Sequence, residues 1–191
     1  RPDPETPLEE TMGTLADIVR QGKALYVGLS NYSKQEAEKA VLLLKDMGVH
    51  CLIEQPRYNM FERTPEDGLF KAMWEHGVGC ICYSPLAQGA LTDKYLNGIP
   101  QGSRASRVGT TINDRYLSEE KLEQIRRLNE IAVSRNQSLA QMALAWVLRE
   151  KAVTSVLIGA SSVRQLENSV QCLDHLEFSA DELKAIDEIL K

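Results

Sequence analysis

The sequence predicts an α/β fold in which parallel β-strands alternate with α-helices. Amphipathic helical segments alternate with short apolar runs along the chain. Such uniformly apolar runs are typical of parallel strands buried on both faces. The first three runs begin about 27 residues apart, near the repeat length of a (β/α)8 barrel. Only four strands are predicted, and a whole barrel typically needs ~250 residues. We therefore favour the second half of a barrel over the alternative, an open four-stranded parallel sheet.

Capping residues and glycines define the predicted elements in order. The first helix begins at Leu8 after a capping box of Thr6 and Glu9, and it ends at Gly22. A shorter helix is predicted over 69–76 with Trp74 facing inward. The other helices are predicted to begin at Ser33, Ser118, Ser138, Ser162 and Ser179. Strands are predicted over 24–29, 49–54, 78–82 and 153–158. The segment 92–117 lacks periodicity, which predicts a long loop of the kind that often serves as a functional lid.

Composition and charge narrow the class of protein. The net charge of −5 disfavours nucleic acid or an acidic membrane as a partner. The four cysteines lack a paired framework, so we expect reduced thiols and a cytoplasmic location. No apolar run approaches ~18 residues, so no membrane span is expected. The start, RPDPETP, is not a signal peptide; it lacks Met, and we expect the natural chain to begin earlier.

Polar side chains follow each predicted strand. They are Ser30 and Asn31, then Gln55, then Tyr83 and Ser84. In a barrel these points converge on the face where ligands bind. Neutral donors and acceptors suit a carboxamide, and a ring beside exposed backbone N–H groups suits a planar cofactor that carries phosphate. The alternative is structural: helix capping and turn formation at Ser30-Asn31, and a core strand ended by an ordinary turn over 78–91.

A small-residue turn follows the fourth strand. Gly159, Ala160 and Ser161 open a helix, and free amides at a helix N-terminus can bind phosphate. Many turns between strands and helices look alike, so this motif is weakly specific. Four basic residues could add positive charge, although a solvated surface is the alternative for each: Lys94, Arg104, Arg107 and Arg164. No histidine, carboxylate pair or metal-ligand cluster is indicated as catalytic, and no metal site is predicted.

Together these segments resemble the C-terminal half of an aldo-keto reductase. The resemblance rests on GLSNY, IEQPRYNMF, CYSPLAQGALTDKY and SVLIGASSVRQLEN in this order and spacing, and it covers essentially all 191 residues. Within the family, the chain is most similar to members resembling bacterial glyceraldehyde-3-phosphate reductases and potassium-channel β-subunits. The resemblance implies that residues 1–191 are half of a single (β/α)8 barrel domain, with 92–117 lying over the cofactor.

The resemblance also implies which residues contact NADPH or NADP+. The nicotinamide carboxamide is expected at Ser30, Asn31 and Gln55, with the ring stacked on Tyr83. The pyrophosphate is expected along Ser84, Pro85, Leu86, Gln88, Gly89 and Lys94, with Arg104 on the loop above it. The adenosine 2′-phosphate end is expected at Gly159, Ser161 and Gln165, and Asn168 and Ser169 replace the Glu-Asn pair of relatives. Asp93 replaces the glycine that usually precedes the lysine.

The implied activity is NADPH-dependent reduction of an aldehyde or ketone, such as glyceraldehyde 3-phosphate or another small aldehyde. Tyr58 is expected near the substrate mouth. The family's catalytic tetrad is expected before Arg1, so no catalytic residue is assigned here. A homo-oligomer is expected. Two alternatives stay open: an NADPH-binding regulatory subunit like the channel β-subunits, or an inactive truncated relative.

Overall fold

A computed structural model describes residues 1–107, 109 and 111–191, and its elements alternate as predicted. The helices are α1 (Leu8–Arg20), α2 (Lys34–Asp46), α3 (Leu69–Glu75), α4 (Ile112–Tyr116), α5 (Glu119–Ser134), α6 (Leu139–Leu148), α7 (Val163–Val170) and α8 (Ala180–Leu190). The strands are β1 (Val27–Ser30), β2 (Cys51–Gln55), β3 (Gly79–Cys82) and β4 (Val153–Val156). In the described part of the chain, no helix is both long and apolar enough to cross a membrane.

The four strands form one parallel sheet in the order β1-β2-β3-β4. Ser30 pairs with Gln55, Glu54 with Cys80, and Cys82 with Val156. Because neighbouring strands are parallel and consecutive in sequence, their carboxyl ends lie along one edge of the sheet. The prediction of four parallel strands with helices, part of a (β/α)8 barrel, is confirmed.

The chain divides into two compact units. Unit 1 comprises 1–58, 62–83 and 151–156, and it contains the sheet with α1, α2 and α3. Its fully buried side chains include Met12, Leu44 and Met73. Unit 2 comprises 59–61, 84–150 and 157–191, and it contains α4 to α8. Its core is built around Trp146 and Leu128, both fully buried.

Local capping explains most of the helix starts. Helices begin after Ser33, Ser138 and Ser179 as predicted, and each serine forms a capping box with the Glu or Gln three residues later. The predicted box at Thr6 is wrong. Pro7 occupies the N-cap of α1, and the Thr6 hydroxyl instead donates to Asp3 Oδ2 at 2.8 Å.

Three other expectations about packing are wrong. Trp74 is 65% exposed, because Phe70 and Met73 already fill the inward face of α3. The strands are not buried on both faces: burial alternates along β1, and Leu52 in β2 is 46% exposed. The segment 92–117 is not all loop, because it contains α4, anchored by buried Ile112 and Tyr116 one helical turn apart.

A side chain at Gly28 in β1 would collide with the side chain of Ile53 in β2. A Cβ at this position would lie 2.7 Å from Ile53 Cγ1 and 3.4 Å from the Ile53 carbonyl oxygen. We expect Gly28→Ala to lower the free energy of unfolding by about 1–3 kcal/mol through overpacking. The control is Gly13→Ala in α1, where a Cβ meets nothing within 4 Å. Gly13→Ala should raise the free energy of unfolding by about 0.5–1 kcal/mol. Equal urea midpoints for the two variants would contradict this explanation.

Candidate functional site

The carboxyl ends of β1, β2 and β3 hold a connected polar cluster in unit 1. The Tyr83 hydroxyl donates to Asn31 Oδ1 at 3.1 Å, and Asn31 Nδ2 donates to Ser30 Oγ at 3.3 Å. Ser30 Oγ in turn donates to the Gln55 carbonyl oxygen at 3.0 Å. The structure therefore brings together the four residues predicted to contact a nicotinamide: Ser30, Asn31, Gln55 and Tyr83. All four are half-buried, so their polar atoms are partly open to a ligand.

Backbone conformation aims the Asn31 side chain into this cluster. Asn31 has a φ of 60°, in the left-handed region that Asn tolerates better than most non-glycine residues. The next two residues lead into the Ser33 capping box that starts α2. The turn after β1 is thus fixed by α2 on one side and by the Tyr83 hydroxyl on the other.

Tyr83 is held between backbone and a basic side chain. Its backbone N–H donates to the Pro56 carbonyl at 3.1 Å, and its carbonyl accepts from Tyr58 N at 3.3 Å. The Arg57 guanidinium lies 5.3 Å from the centre of the Tyr83 ring, within the range of a cation–π contact. Arg57 also forms an ion pair with Glu62 at 3.5 Å. The ring orientation is therefore set within the protein.

Glu54 precedes Gln55 on β2, next to this cluster, and was not predicted as a functional residue. Its side chain is fully buried, and Oε1 accepts from Tyr32 N at 3.4 Å. Oε2 is buried with no hydrogen-bond partner among the described residues. Burial raises the pKa of the Glu54 carboxyl to about 7, although the backbone N–H groups of Tyr32 and Asn31 act in the opposite direction. The signal in the sequence was a lone charge inside the apolar run 51–55.

Tyr58 lies in the core of unit 1. It is fully buried, its hydroxyl donates to Glu66 Oε1 at 2.6 Å, and its ring packs edge-on against Phe70. Glu66 also accepts two hydrogen bonds from Arg63, at 2.9 and 2.7 Å. These contacts give Tyr58 a structural role, and its place at the substrate mouth stays a prediction.

The segment after β3 forms a tight loop in unit 2. Ser84, Ala87 and Gln88 have φ values of 54°, 48° and 60°, and Gly89 has 101°. Asn59 Nδ2 donates to the Ser84 carbonyl at 3.0 Å, which closes the loop on the buried Asn59. Within the loop, Ala87 N donates to the Ser84 carbonyl, and Gly89 N and Leu91 N both donate to the Leu86 carbonyl. The predicted pyrophosphate contacts stay a prediction.

The remaining predicted pyrophosphate residues differ in exposure. Pro85 is buried, Leu86 is half-buried, and Lys94 is exposed beyond the loop. Gln88 Nε2 donates to Thr111 Oγ1 at 3.3 Å. The Arg104 side chain lies outside the described part of the structure, so its predicted contact stays a prediction.

The turn before α7 displays an exposed pair of donors in unit 2. The backbone N–H and the hydroxyl of Ser161 both donate to Gln165 Oε1, at 2.9 and 3.0 Å. Ser162 caps α7 by accepting from Gln165 N. Gly159, Ser161 and Gln165 are all exposed. Gln165 Oε1 thus accepts from two donors of Ser161 near the N-terminus of α7, the positive end of the helix dipole.

Asn168 and Ser169 are engaged with the protein itself. Asn168 Oδ1 accepts from Gln141 Nε2 at 3.1 Å, and its Nδ2 donates to Ser138 Oγ at 3.3 Å. The hydroxyl of the buried Ser169 donates to the Gln165 carbonyl at 2.9 Å. Asn168 links α7 to the start of α6, and the predicted adenine contacts of both residues stay predictions.

A model of the aldo/keto reductase family matches residues 1–191. The chain is 50% identical over 192 residues to the L-glyceraldehyde 3-phosphate reductase of Escherichia coli (strain K12), covering 98% of this chain and 56% of that protein. It is 35% identical to a putative voltage-gated potassium channel subunit beta of Schizosaccharomyces pombe, covering 100% of this chain and 57% of that protein.

Two solved structures are similar to this chain in fold and sequence. A thermostable aldo-keto reductase in complex with the inhibitor epalrestat has a TM-score of 0.70 and 29% identity, covering 98% of this chain and 57% of that chain. The glycerol dehydrogenase of Gluconobacter oxydans has a TM-score of 0.77 and 26% identity, covering 99% and 56%. The chain spans about half the length of the relatives it matches.

Proposed function

Because the chain belongs to the aldo/keto reductase family, we propose that the whole protein reduces an aldehyde or ketone with NADPH and that this chain binds the cofactor. The cluster of Ser30, Asn31, Gln55 and Tyr83 carries the proposal. It offers neutral donors and acceptors beside an aromatic ring, and a nicotinamide needs both: amide partners for its carboxamide and a flat surface for its ring.

NADPH, when bound, supplies a hydride to the carbonyl carbon. The residues of this chain bind and orient NADPH. Asn31 and Gln55 have amide groups that pair with a carboxamide, and Ser30 links the ends of β1 and β2. Tyr83 offers one ring face to the nicotinamide, and Arg57 lies against the ring. The proton donor belongs to the tetrad that we expect before Arg1.

The 2′-phosphate of NADPH fits the turn before α7. The two Ser161 donors now address Gln165 Oε1, and a phosphate oxygen can replace that oxygen when the exposed Gln165 side chain moves aside. The N-terminus of α7 favours an anion at the same place. This arrangement supports NADPH over NADH.

A short phosphorylated aldehyde is the proposed substrate. Half of the aligned residues are identical to those of a relative named L-glyceraldehyde 3-phosphate reductase. We place the protein in the cytoplasm, because its four cysteines are buried thiols. A homo-oligomer of this enzyme also remains part of the proposal.

A regulatory subunit that binds NADPH is the second candidate, and the similarity to a putative channel β-subunit favours it. The two candidates differ in turnover. Steady oxidation of NADPH by the whole protein with glyceraldehyde 3-phosphate supports the enzyme. Retention of NADPH without turnover, together with a stable partner in pull-down, supports the subunit.

Gln55→Leu tests the cofactor site directly. In the whole protein we expect the Kd for NADPH, measured by fluorescence titration, to rise about tenfold or more. The reason is that the carboxamide of the bound nicotinamide loses its hydrogen-bond partner on Gln55. The control is Gln35→Leu, the same change at an exposed position of α2. It should leave the Kd unchanged. Equal Kd values for the two variants would contradict the proposed site.

A further inference from the structure

Glu54 is a buried acidic residue next to the proposed nicotinamide cluster. The proposed function gives it no role. It is adjacent to Gln55 on β2, and its carboxyl reaches the segment that follows β1. The side chain is fully buried, and one oxygen lacks a partner within the described residues. Burying a carboxyl with one unpaired oxygen destabilises the fold, so its presence calls for an explanation.

The contacts of Glu54 end at the backbone that carries Asn31. Oε1 accepts from Tyr32 N at 3.4 Å, directly after the left-handed residue Asn31. Asn tolerates this conformation better than most residues, but the conformation still costs free energy and persists where the surroundings hold it. On the other side of the same turn, Asn31 Oδ1 accepts from the Tyr83 hydroxyl. Glu54 therefore holds the backbone of Asn31–Tyr32 while Tyr83 holds the Asn31 side chain.

A second link joins the same two strand ends. Ser30 Oγ donates to the Gln55 carbonyl, so β1 and β2 are tied by one side chain from each strand. The Ser30 link fixes the end of β1, and the Glu54 link fixes the turn beyond it. Removing the Glu54 acceptor would free only the turn, because the strand pairing of Ser30 with Gln55 remains.

We propose that Glu54 is a positioning residue, whose buried carboxyl fixes the Asn31–Tyr32 turn so that the Asn31 amide meets the nicotinamide carboxamide. The inference rests on the proposed function, because it assigns Glu54 to the nicotinamide end of the same site. Glu54 acts through Asn31. Among the described residues, the titratable groups that interact with the Glu54 carboxyl include the Tyr32 phenol and the Cys51 thiol.

Two substitutions separate positioning from general packing. Glu54→Met keeps the length of the side chain and removes the acceptor. Glu54→Gln keeps an acceptor oxygen for Tyr32 N. The probes are NADPH, which carries the nicotinamide, and 2′,5′-ADP, which is only the adenosine phosphate end. In the whole protein, Glu54→Met should raise the Kd for NADPH about tenfold and leave the Kd for 2′,5′-ADP within about twofold. Glu54→Gln should stay within about threefold for both ligands.

Hydrogen exchange gives a readout that does not require the cofactor. The Tyr32 amide should be protected in the wild-type protein and in Glu54→Gln, and it should exchange faster in Glu54→Met. Equal loss of affinity for NADPH and 2′,5′-ADP would overturn the inference, as would a Tyr32 amide unprotected in the wild type. If the wild-type protein does not bind NADPH, the proposed function fails, and exchange at Tyr32 still decides whether Glu54 holds the turn.

Discussion

Replacing Glu182 by alanine is expected to lower the free energy of unfolding by about 2–3 kcal/mol, because it leaves a buried guanidinium without its counterion. Glu182 Oε1 lies 2.7 Å from an Nη of Arg135, whose side chain is 1% exposed. Arg135 also donates to Gln137 Oε1 at 2.9 Å and to the Glu177 carbonyl at 2.9 Å. Its guanidinium stacks on Phe178 at 3.8 Å. These contacts fasten the end of α5 to the start of α8.

The control for this prediction is Glu188→Ala on the same helix. Glu188 is 56% exposed and lies 4.0 Å from Lys184, an exposed pair worth at most about 0.5 kcal/mol. Urea denaturation of the whole protein should therefore separate the two variants clearly. If both variants lose the same free energy of unfolding, the buried Arg135 guanidinium is not stabilised by Glu182.

The same ion pair predicts a dependence of stability on pH. Burial alone would raise the pKa of the Glu182 carboxyl, but the hydrogen bonds from Ser179 N and from Arg135, with the charge of Arg135, lower it below 4.5. The stabilisation is present above the unfolded pKa, and it is lost as the pH falls through the folded pKa. Between the folded and the unfolded pKa of Glu182, lowering the pH should reduce the free energy of unfolding more steeply in the wild-type protein than in Glu182→Ala.

Sequence reasoning succeeded where local chemistry decides the structure. The capping serines Ser33, Ser138 and Ser179 begin helices because their hydroxyls satisfy backbone N–H groups within three residues. The cluster after β1, β2 and β3 was predictable for a similar reason: parallel strands in sequential order bring their carboxyl ends to one edge. These features need only the order of residues and the rules of backbone geometry.

Prediction failed where a distant partner decides. Trp74 has the expected helical spacing, but Phe70 and Met73 occupy the inward face. Arg135 looks like any surface arginine in the sequence, and only the fold brings Glu182, 47 positions later in the chain, to its guanidinium. Glu54 is similar: its burial follows from the sheet, and no pattern of neighbouring residues shows that its carboxyl meets Tyr32 N.

Replacing Ser161 by aspartate is expected to reverse the cofactor preference of the proposed site. The substitution removes the Ser161 hydroxyl, one of the two donors to Gln165 Oε1, and sets a carboxylate beside the remaining donor, the backbone N–H, where it would repel the 2′-phosphate of NADPH. Unit charges 4 Å apart near a protein surface interact by about 4 kcal/mol. Solvent and salt screen part of this at an exposed position, so we expect the Kd for NADPH to rise on the order of 100-fold, or about 2.7 kcal/mol.

NADH serves as the internal comparison, because it lacks the 2′-phosphate. A carboxylate can accept a hydrogen bond from the ribose 2′-hydroxyl, so the Kd for NADH should stay level or fall. The control variant is Ala180→Asp, which adds the same charge in the first turn of α8 at an exposed position. It should leave both Kd values unchanged. An aspartate at 161 stabilises the start of α7, so loss of folding would not explain weaker binding. If Ser161→Asp weakens NADPH and NADH equally, the 2′-phosphate does not bind at this turn, and the preference for NADPH must be set by other residues.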